Sequence, residues 1–313
     1  MAISNRTIVK AAIDTGSMKN AGLLSPYQAK KFLKQSFEQQ NLMKLVRHEM
    51  RTERTGEIDK IGIAKRILRA KTEGVDDGYR AGVKTSAIEY ACKAVRLPWE
   101  ITEETLKENI EGEGLEKTIT DLMTEQVGAD TEDLALNGDE DTESTDPDYD
   151  FLKLNDGWIK QMKNGSHIED RSSKNNGAMS ISVYYDMLEQ IPNKYNTGKL
   201  RWIMSPRRQQ EWEKYLFEQM IQHGGIVSEG VFKNPASIPT ISCSSLEDSD
   251  ILLCDPKNLV VCNSYSMKIR KTNEGKTAVM EDKRFYVVHF DADFIIEETD
   301  ACGIITGLKK SEV

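Results

Sequence analysis

The chain has 313 residues and a formal net charge of −9, and 38% of its residues are hydrophobic while 30% are charged. This composition predicts a folded chain with a substantial core and a large polar surface. The acidic balance excludes a sequence-wide basic surface for binding nucleic acid. No run approaches the ~18 apolar residues of a membrane span, and the amino-terminal stretch lacks the apolar segment of a signal peptide.

Cysteine usage points away from both metal binding and disulfide bonding. The five cysteines are odd in number, widely spread and without a C-x-x-C motif. The sequence therefore predicts reduced thiols, with neither a zinc site nor a disulfide framework. They are Cys92, Cys243, Cys254, Cys262 and Cys302.

The amino-terminal region predicts an extended stretch over residues 1–24 followed by a helix. Ser25-Pro26 combines an N-cap residue with a first-turn proline. The helix that follows carries Phe32 and Phe37, and a second apolar group continues it. That second group consists of Leu42, Leu45 and Val46. A lone helix with one apolar stripe must cover either its own core or a neighbouring subunit.

Residues 50–100 predict a long hairpin rich in Lys and Arg. Two strand-like runs, EIDKIGIAKRILRAKTEG and KTSAIEYACKAVRLPWEI, flank a segment in which Asp77-Gly78 supplies turn chemistry. In the second run Ile88, Tyr90 and Cys92 alternate with more polar positions, which is the period of a strand. Such a two-stranded ribbon is marginal alone in water, so it must cover its own protein or reach another chain.

After Pro98 the periodicity becomes helical. ITEETLKENIEGEG predicts a short helix, and the next segment predicts the longest helix of the chain, ended by Asn137-Gly138. Apolar residues recur at helical spacing at Leu115, Ile119, Leu122, Met123, Val127, Leu134 and Leu136. Further on, helices at SVYYDMLEQI and RRQQEWEKYLFEQMIQ mix with several strands without a βαβ rhythm. The fold class is therefore α+β.

The acidic run GDEDTESTDPDYDFLKLNDGW, residues 138–158, resembles a calcium loop only at its start. An EF-hand loop beginning at Asp146 needs Gly at its sixth position and Glu at its twelfth. Those positions hold Phe151 and Gly157. The composition instead favours a solvated loop.

Two short patterns suggest catalysis but lack the groups that catalysis requires. Asp14-Thr15-Gly16 is the tripeptide of aspartic proteases, whose chemistry needs two such carboxylates, and the chain holds one copy. His167, Glu169 and Asp170 lie in GSHIEDRSSKNNGAM, which is predicted to be a polar loop with these side chains in solvent. No enzymatic activity and no cofactor are predicted.

The order of the segments resembles the Hong Kong 97-type major capsid proteins of tailed bacteriophages, a fold that encapsulins share. KTSAIEYACKAVRLPWEITEETLKENI is similar to the strand that leaves the extended loop and the short helix after it. EKTITDLMTEQVGADTEDLALNGDED is similar to the family's long "spine" helix, closing on Gly138-Asp139. FLKLNDGWIKQM and FYVVHFDADFIIEETDACGIITGL resemble the segment after that helix and the closing strands.

The resemblance implies five regions. They are an N-arm with its arm helix (1–48), an E-loop hairpin (49–100), a P-domain with the spine helix (101–163), an A-domain (164–272) and closing strands that return to the P-domain (273–313). Physical argument and resemblance agree that the arm and hairpin become ordered on adjacent subunits of a symmetric shell. Cross-subunit ion pairs are expected between hairpin cations and carboxylates of a neighbour's spine helix. The expected contact residues are Arg66, Arg69, Lys71, Arg80, Glu116, Asp121, Glu125, Phe32 and Phe37.

The resemblance also implies partners and a location. These are pentamers and hexamers of the chain itself, a separate scaffolding protein, a portal, a decoration protein where one is used, and double-stranded DNA packaged without sequence-specific binding. The shell would be assembled in the host bacterial cytoplasm and would end in the virion, with no membrane partner. Some relatives cross-link an E-loop lysine to a P-domain asparagine. Lys60, Lys65, Lys71 and Lys84 are available, but the sequence places no asparagine partner, and no cross-link is predicted.

Three alternatives stay open at this point. An encapsulin-like compartment would use the same fold to enclose a cargo enzyme. A metal- or acid-dependent hydrolase would use residues such as His167 and Glu169. A monomeric binding module would not assemble at all.

Overall fold

A computed structural model describes most of the chain. The described residues are 40–62, 67, 68, 70, 74, 78–108, 115–174, 177–222, 234–265 and 267–309. The predicted arm helix with Phe32 and Phe37, the Asp14-Thr15-Gly16 tripeptide, and the hairpin residues Lys65, Arg66, Arg69 and Lys71 lie outside them.

Two five-stranded sheets and a two-stranded hairpin account for the strands of the described residues. The first sheet contains β1 (Arg47–Arg51), β4 (Lys93–Thr102), β9 (Leu259–Ser264), β10 (Lys268–Thr272) and β11 (Lys283–Ile296). The hairpin pairs β2 (Thr55–Gly62) with β3 (Lys84–Ala91). The second sheet has the order β5-β12-β8-β6-β7, from β5 (His167–Asp170), β12 (Gly303–Thr306), β8 (Ile251–Cys254), β6 (Arg201–Met204) and β7 (Thr240–Ser242).

Seven α-helices lie in the described residues. They are α1 (Glu103–Glu108), α2 (Leu115–Asn137), α3 (Tyr149–Leu152), α4 (Trp158–Gly165), α5 (Ile181–Gln190), α6 (Pro206–Gln222) and α7 (Lys276–Glu281). None of them is long and apolar enough to cross a membrane. The mixture confirms the α+β class.

The main core joins both sheets to α2 and α4. Trp158 of α4 is fully buried and meets Phe294 of β11 edge-on, with 6.0 Å between ring centroids. A second core packs α5 and α6 on the second sheet. There the ring centroid of Tyr184 lies 4.9 Å from those of both Trp202 and Trp212. All three of these tryptophans fill core.

The strongest periodic signals are confirmed. The long helix α2 ends at Asn137, and the hairpin pairs from Thr55 opposite Ala91 to Gly62 opposite Lys84. The second strand-like run divides at Cys92 into two strands, since β3 belongs to the hairpin while β4 continues through Pro98 to Thr102 in the first sheet. Pro98 is tolerated because β4 has no partner strand on its other edge among the described residues.

Two sequence predictions are wrong. The helix expected across Leu42, Leu45 and Val46 is a turn followed by strand β1, which pairs in parallel with β9. Leu42 and Val46 are buried in the main core, so tertiary packing overrides the helical spacing. The loop expected over residues 165–179 contains strand β5, whose Glu169 side chain is buried.

Two glycines explain why the helix ends where the acidic run begins. A Cβ atom at Gly138 would lie 2.3 Å from the carbonyl oxygen of Asn155, and one at Gly157 would lie 2.5 Å from that of Leu136. The backbone N–H of Gly157 donates to the Gly138 carbonyl at 2.7 Å. The chain therefore returns against the end of α2 at a spacing that only glycine permits.

Replacing Gly138 with alanine is expected to lower the free energy of unfolding by about 1–3 kcal/mol. The two nearest atoms that the new Cβ would meet, the carbonyl oxygens of Asn155 and Leu134, belong to backbone. Urea unfolding of the unassembled subunit measures this. Gly82→Ala is the matched control, because a Cβ atom there would have no neighbour within 4 Å. Equal unfolding midpoints for the two variants would contradict the close-approach explanation.

Candidate assembly surfaces

The hairpin is attached to its own subunit at its base. Ile58, Tyr90 and Cys92 are buried against three residues of β9 and β11. Those three are Val260, Cys262 and Ile295. The base therefore has an apolar contact with the first sheet, on the face opposite the main core.

Polar contacts reinforce this attachment. Arg54 donates to the buried Asp291 carboxylate at 2.6 Å, and the Ser264 hydroxyl donates to the same carboxylate at 2.6 Å. The Ala91 N–H donates to Asp293 at 2.7 Å. The bonds from Arg54 and Ser264 compensate the buried carboxylate of Asp291, which alone would be costly.

A lysine of the hairpin also reaches the body of the subunit. Lys60 pairs with Glu298 and donates to the Glu297 carbonyl at 3.2 Å. The hydrogen bond from Lys60 lowers the pKa of the Glu298 carboxyl. This lysine, one of those available for a cross-link, thus has partners within its own chain.

Beyond its base the hairpin presents apolar side chains to solvent. Ile61, Leu68 and Val83 are 72%, 93% and 63% exposed, respectively. Isolated exposed apolar residues are common, but these three side chains, together with the 38% exposed Ile67, all lack a cover in the described part of the subunit. The sequence contained this signal, although the residues proposed from it were the charged ones.

The structure places the predicted contact residues in different environments. Arg80 is exposed on the hairpin, and its guanidinium donates to the Tyr79 carbonyl at 2.9 Å. Asp121 and Glu125 are exposed on α2. Glu116 is ion-paired in a way that the sequence did not anticipate.

Glu116 joins the start of α2 to the first sheet of its own subunit. It pairs with Lys271 of β10, and with Arg284 of β11 at 3.0 Å. Burial opposes ionisation, but the hydrogen bond and charge of Lys271 lower the pKa of the Glu116 carboxyl. These partners lie more than a hundred residues along the chain, so no local pattern could have identified them.

A lysine lies among three carboxylates from the two ends of the acidic run. The Lys160 ammonium lies 2.7 Å from Asp139, 2.6 Å from Asp141 and 2.7 Å from Asp156. Partial burial opposes protonation, but these three hydrogen bonds raise the pKa of Lys160. Within the described residues no group of three or more His, Cys, Asp or Glu could hold a metal ion.

His167, Glu169 and Asp170 do not converge on one site. Glu169 and Asp170 are neighbours on β5 and face opposite sides of the sheet. The expectation that Glu169 lies in solvent is wrong, since it is buried and accepts hydrogen bonds from Lys174 at 2.6 Å and Gln190 at 2.8 Å. Glu169 therefore makes a buried contact between β5 and α5, whereas Asp170 is exposed, and the two carboxylates are not paired for acid–base chemistry.

The cysteines are in environments that disfavour nucleophilic chemistry. All five are buried and free. Burial raises the pKa of the Cys92 and Cys262 thiols to about 12. A thiol must ionise to act as a nucleophile, so neither cysteine is activated.

Replacing Arg54 with alanine is expected to leave the Asp291 carboxylate buried without its cation, at a cost of about 1–3 kcal/mol. Because the contact lies at the base of the hairpin, amide hydrogens of β2 and β3 should exchange faster. Hydrogen exchange measured by mass spectrometry tests this. Lys84→Ala, an exposed change on the same hairpin, is the control, and unchanged protection in the Arg54 variant would contradict the anchoring role.

Comparisons with known proteins agree with this architecture. No family model matches the chain. The chain is 27% identical over 325 aligned positions to "Putative prophage capsid protein YqbE" of Bacillus subtilis (strain 168), covering 98% of this chain and 99% of that protein.

Solved structures share the fold at low sequence identity. The satellite phage P4 procapsid that includes the size determination protein matches with a TM-score of 0.67 and 14% identity, covering 90% of this chain and 99% of that one. The SrpI encapsulin complex from Synechococcus elongatus PCC 7942 matches with a TM-score of 0.52 and 12% identity, covering 99% of this chain and 97% of that one. The chain therefore has the Hong Kong 97-type capsid fold. This fold, together with the similarity to a prophage capsid protein over 98% of the chain, supports the role of a structural phage capsid protein.

Proposed function

We propose that the chain assembles through pentamers and hexamers into an icosahedral shell that encloses double-stranded phage DNA. The observation that carries this proposal is the hairpin, whose base is held on its own subunit while Ile61, Leu68 and Val83 project uncovered. A surface of this kind is buried when it lies on a neighbouring copy. Repetition of one such contact under closed symmetry builds a shell.

Charged side chains of the hairpin would add contacts to the same neighbouring copy. Arg66, Arg69, Lys71 and Arg80 give the hairpin positive charge, and a neighbour's α2 offers Asp121 and Glu125. Glu116 would have to give up its own partners, Lys271 and Arg284, before it could pair with a neighbour. Each exposed pair contributes about 0–1 kcal/mol, so the shell depends on the number of pairs and on apolar contact. In the arm, Phe32 and Phe37 would supply part of that apolar contact.

The remaining partners are proposed on the same basis. The protein partners would be a separate scaffolding protein, a portal and, where one is used, a decoration protein. DNA would be enclosed without sequence-specific contacts, in keeping with a net charge of −9. The shell would assemble in the bacterial cytoplasm, and the chain would have no catalytic role.

The purified chain, expressed alone and together with a candidate scaffold, is expected to form closed shells or rings of five and six subunits. Negative-stain electron microscopy after size exclusion shows these directly. A monomer under both conditions would contradict the proposed function.

Reversing the charge of two hairpin arginines, with Arg66→Glu and Arg69→Glu, is expected to reduce the yield of shells because the hairpin would be repelled by the neighbour's acidic helix. The control carries Arg66→Lys and Arg69→Lys, which keep the charge. Particle yield by size exclusion and microscopy is the measurement. Normal shells from the reversed variant would contradict the proposed cross-subunit ion pairs.

An encapsulin-like compartment is the second candidate, favoured by the match to the encapsulin complex over nearly the whole chain. The content of purified native particles separates the two functions. Nuclease-protected double-stranded DNA supports the phage capsid, and an enclosed enzyme supports the compartment. Neighbouring genes give a second test, with portal and terminase genes expected for a capsid and a peroxidase or ferritin-like gene for a compartment.

A further inference from the structure

Half of the outer face of the first sheet lacks a cover in the described subunit. Along β4 the side chains alternate, with Val95, Leu97 and Trp99 packed on the main core and the residues between them facing outward. The hairpin base covers the outer face only near β9 and the end of β11. The uncovered part, the open face, is formed by β4, β10 and the start of β11.

The open face is basic in an acidic chain. Arg96 of β4 and Arg270 of β10 are exposed, Lys268 of β10 is half-buried, and none of the three has an ion-pair partner among the described residues. The carboxylates nearest in register are already used, since Glu100 pairs with Lys283 at 2.8 Å and Asp291 pairs with Arg54. The open face therefore has positive charge available for a partner.

The open face also has an apolar component. Pro98, Phe285 and Val287 lie next to one another across β4 and β11. Together with Arg270 they are among the residues that line a groove of about 1000 Å³ along these strands. An apolar floor with a basic rim suits an acidic protein segment that carries apolar residues better than it suits a bare phosphate backbone.

The chain itself contains such a segment, in the loop after α2. No lysine or arginine occurs between residues 139 and 150. Glu143, Asp146 and Asp148 are exposed and form no ion pair within the described subunit, and Pro147 between the two aspartates is exposed as well. The other carboxylates of the run are engaged by Lys93, Lys153 and Lys160.

A subunit cannot bring these two surfaces together by itself. The loop lies on the core side of the sheet, where Phe151 and Leu154 pack on the main core and Glu140 pairs with Lys93. The open face is on the other side. A contact between two different surfaces of identical copies is head-to-tail, and such contacts form rings when the rotation between copies closes.

We propose that the acidic loop, residues 143–148, of one subunit binds the open face of a neighbouring copy, with Arg96, Lys268 and Arg270 facing Glu143, Asp146 and Asp148. This inference rests on the proposed assembly function and assigns it a second interface, distinct from the hairpin. A neighbour's hairpin is a poorer occupant, because its stretch from Lys60 to Lys71 is itself basic. Like charges would then meet across the contact.

A charge swap tests the contact. One variant carries Arg96→Glu and Arg270→Glu, a second carries Asp146→Lys and Asp148→Lys, and a third carries all four changes. At low ionic strength each of the first two is expected to yield at least tenfold fewer shells than the unaltered chain, and the third is expected to recover most of that loss. Arg96→Lys with Arg270→Lys is the control, and thermal melting verifies that each subunit is folded.

Normal shell yield from either reversed variant would overturn the inference while leaving the proposed function in place. So would failure of the fourfold variant to recover, or a reversal that leaves assembly intact and lowers only the DNA retained. If the unaltered chain forms no shells, the proposed function fails on its own account. The contact is then tested by sedimentation at low salt. Self-association that the reversed variants lose and the fourfold variant regains supports the contact, and a monomer for every variant overturns it.

Discussion

The strand β11 is the constraint on which the rest of the subunit depends. Its fourteen residues pair with β4 along one edge and with β9 and β10 elsewhere, so it joins chain segments almost two hundred residues apart. Its inward side chains, among them Val288, Phe290 and Phe294, enter the main core. Its outward side chains hold the hairpin base and form part of the open face. Because a shift of one residue would exchange these two faces, the pairing register of β11 fixes both the core and the surfaces available for assembly.

The acidic run after the long helix combines a rigid start with an exposed middle. Gly138 and Gly157 allow the chain to return against the helix end, and the Asn155 side chain donates to the Ala292 carbonyl of β11 at 3.2 Å. Lys160 then neutralises the first carboxylates of the run. The unpaired carboxylates are thus presented from a fixed base, which reduces the entropy that a partner must overcome to order them.

Local sequence patterns predicted the helix and the hairpin strands correctly. They failed where a partner far along the chain determines the secondary structure or the burial of a residue. The helix ending at Asn137 and the hairpin strands have clear periodicities, and both occur at the expected positions. Residues 42–46 have helical spacing, but a parallel partner in β9 places the following residues in a strand. Glu169 looked like a loop residue because its partner Gln190 lies on a helix further along the chain. The charged contact residues could be proposed from composition, whereas the pairing of Glu116 with Arg284 required the fold.

Weak contacts between subunits would suffice for the proposed shell, because every subunit would repeat them. An exposed ion pair contributes only about 0–1 kcal/mol, and one such pair would not hold two subunits together. A subunit with a projecting hairpin, a basic open face and an acidic loop on the opposite side offers several contacts to several neighbours at once. Once two contacts have formed, the next is intramolecular and occurs at a high effective concentration. In the proposed shell, individually weak contacts would also let misplaced subunits dissociate before closure, so the proposed surfaces would permit errors to be corrected during assembly.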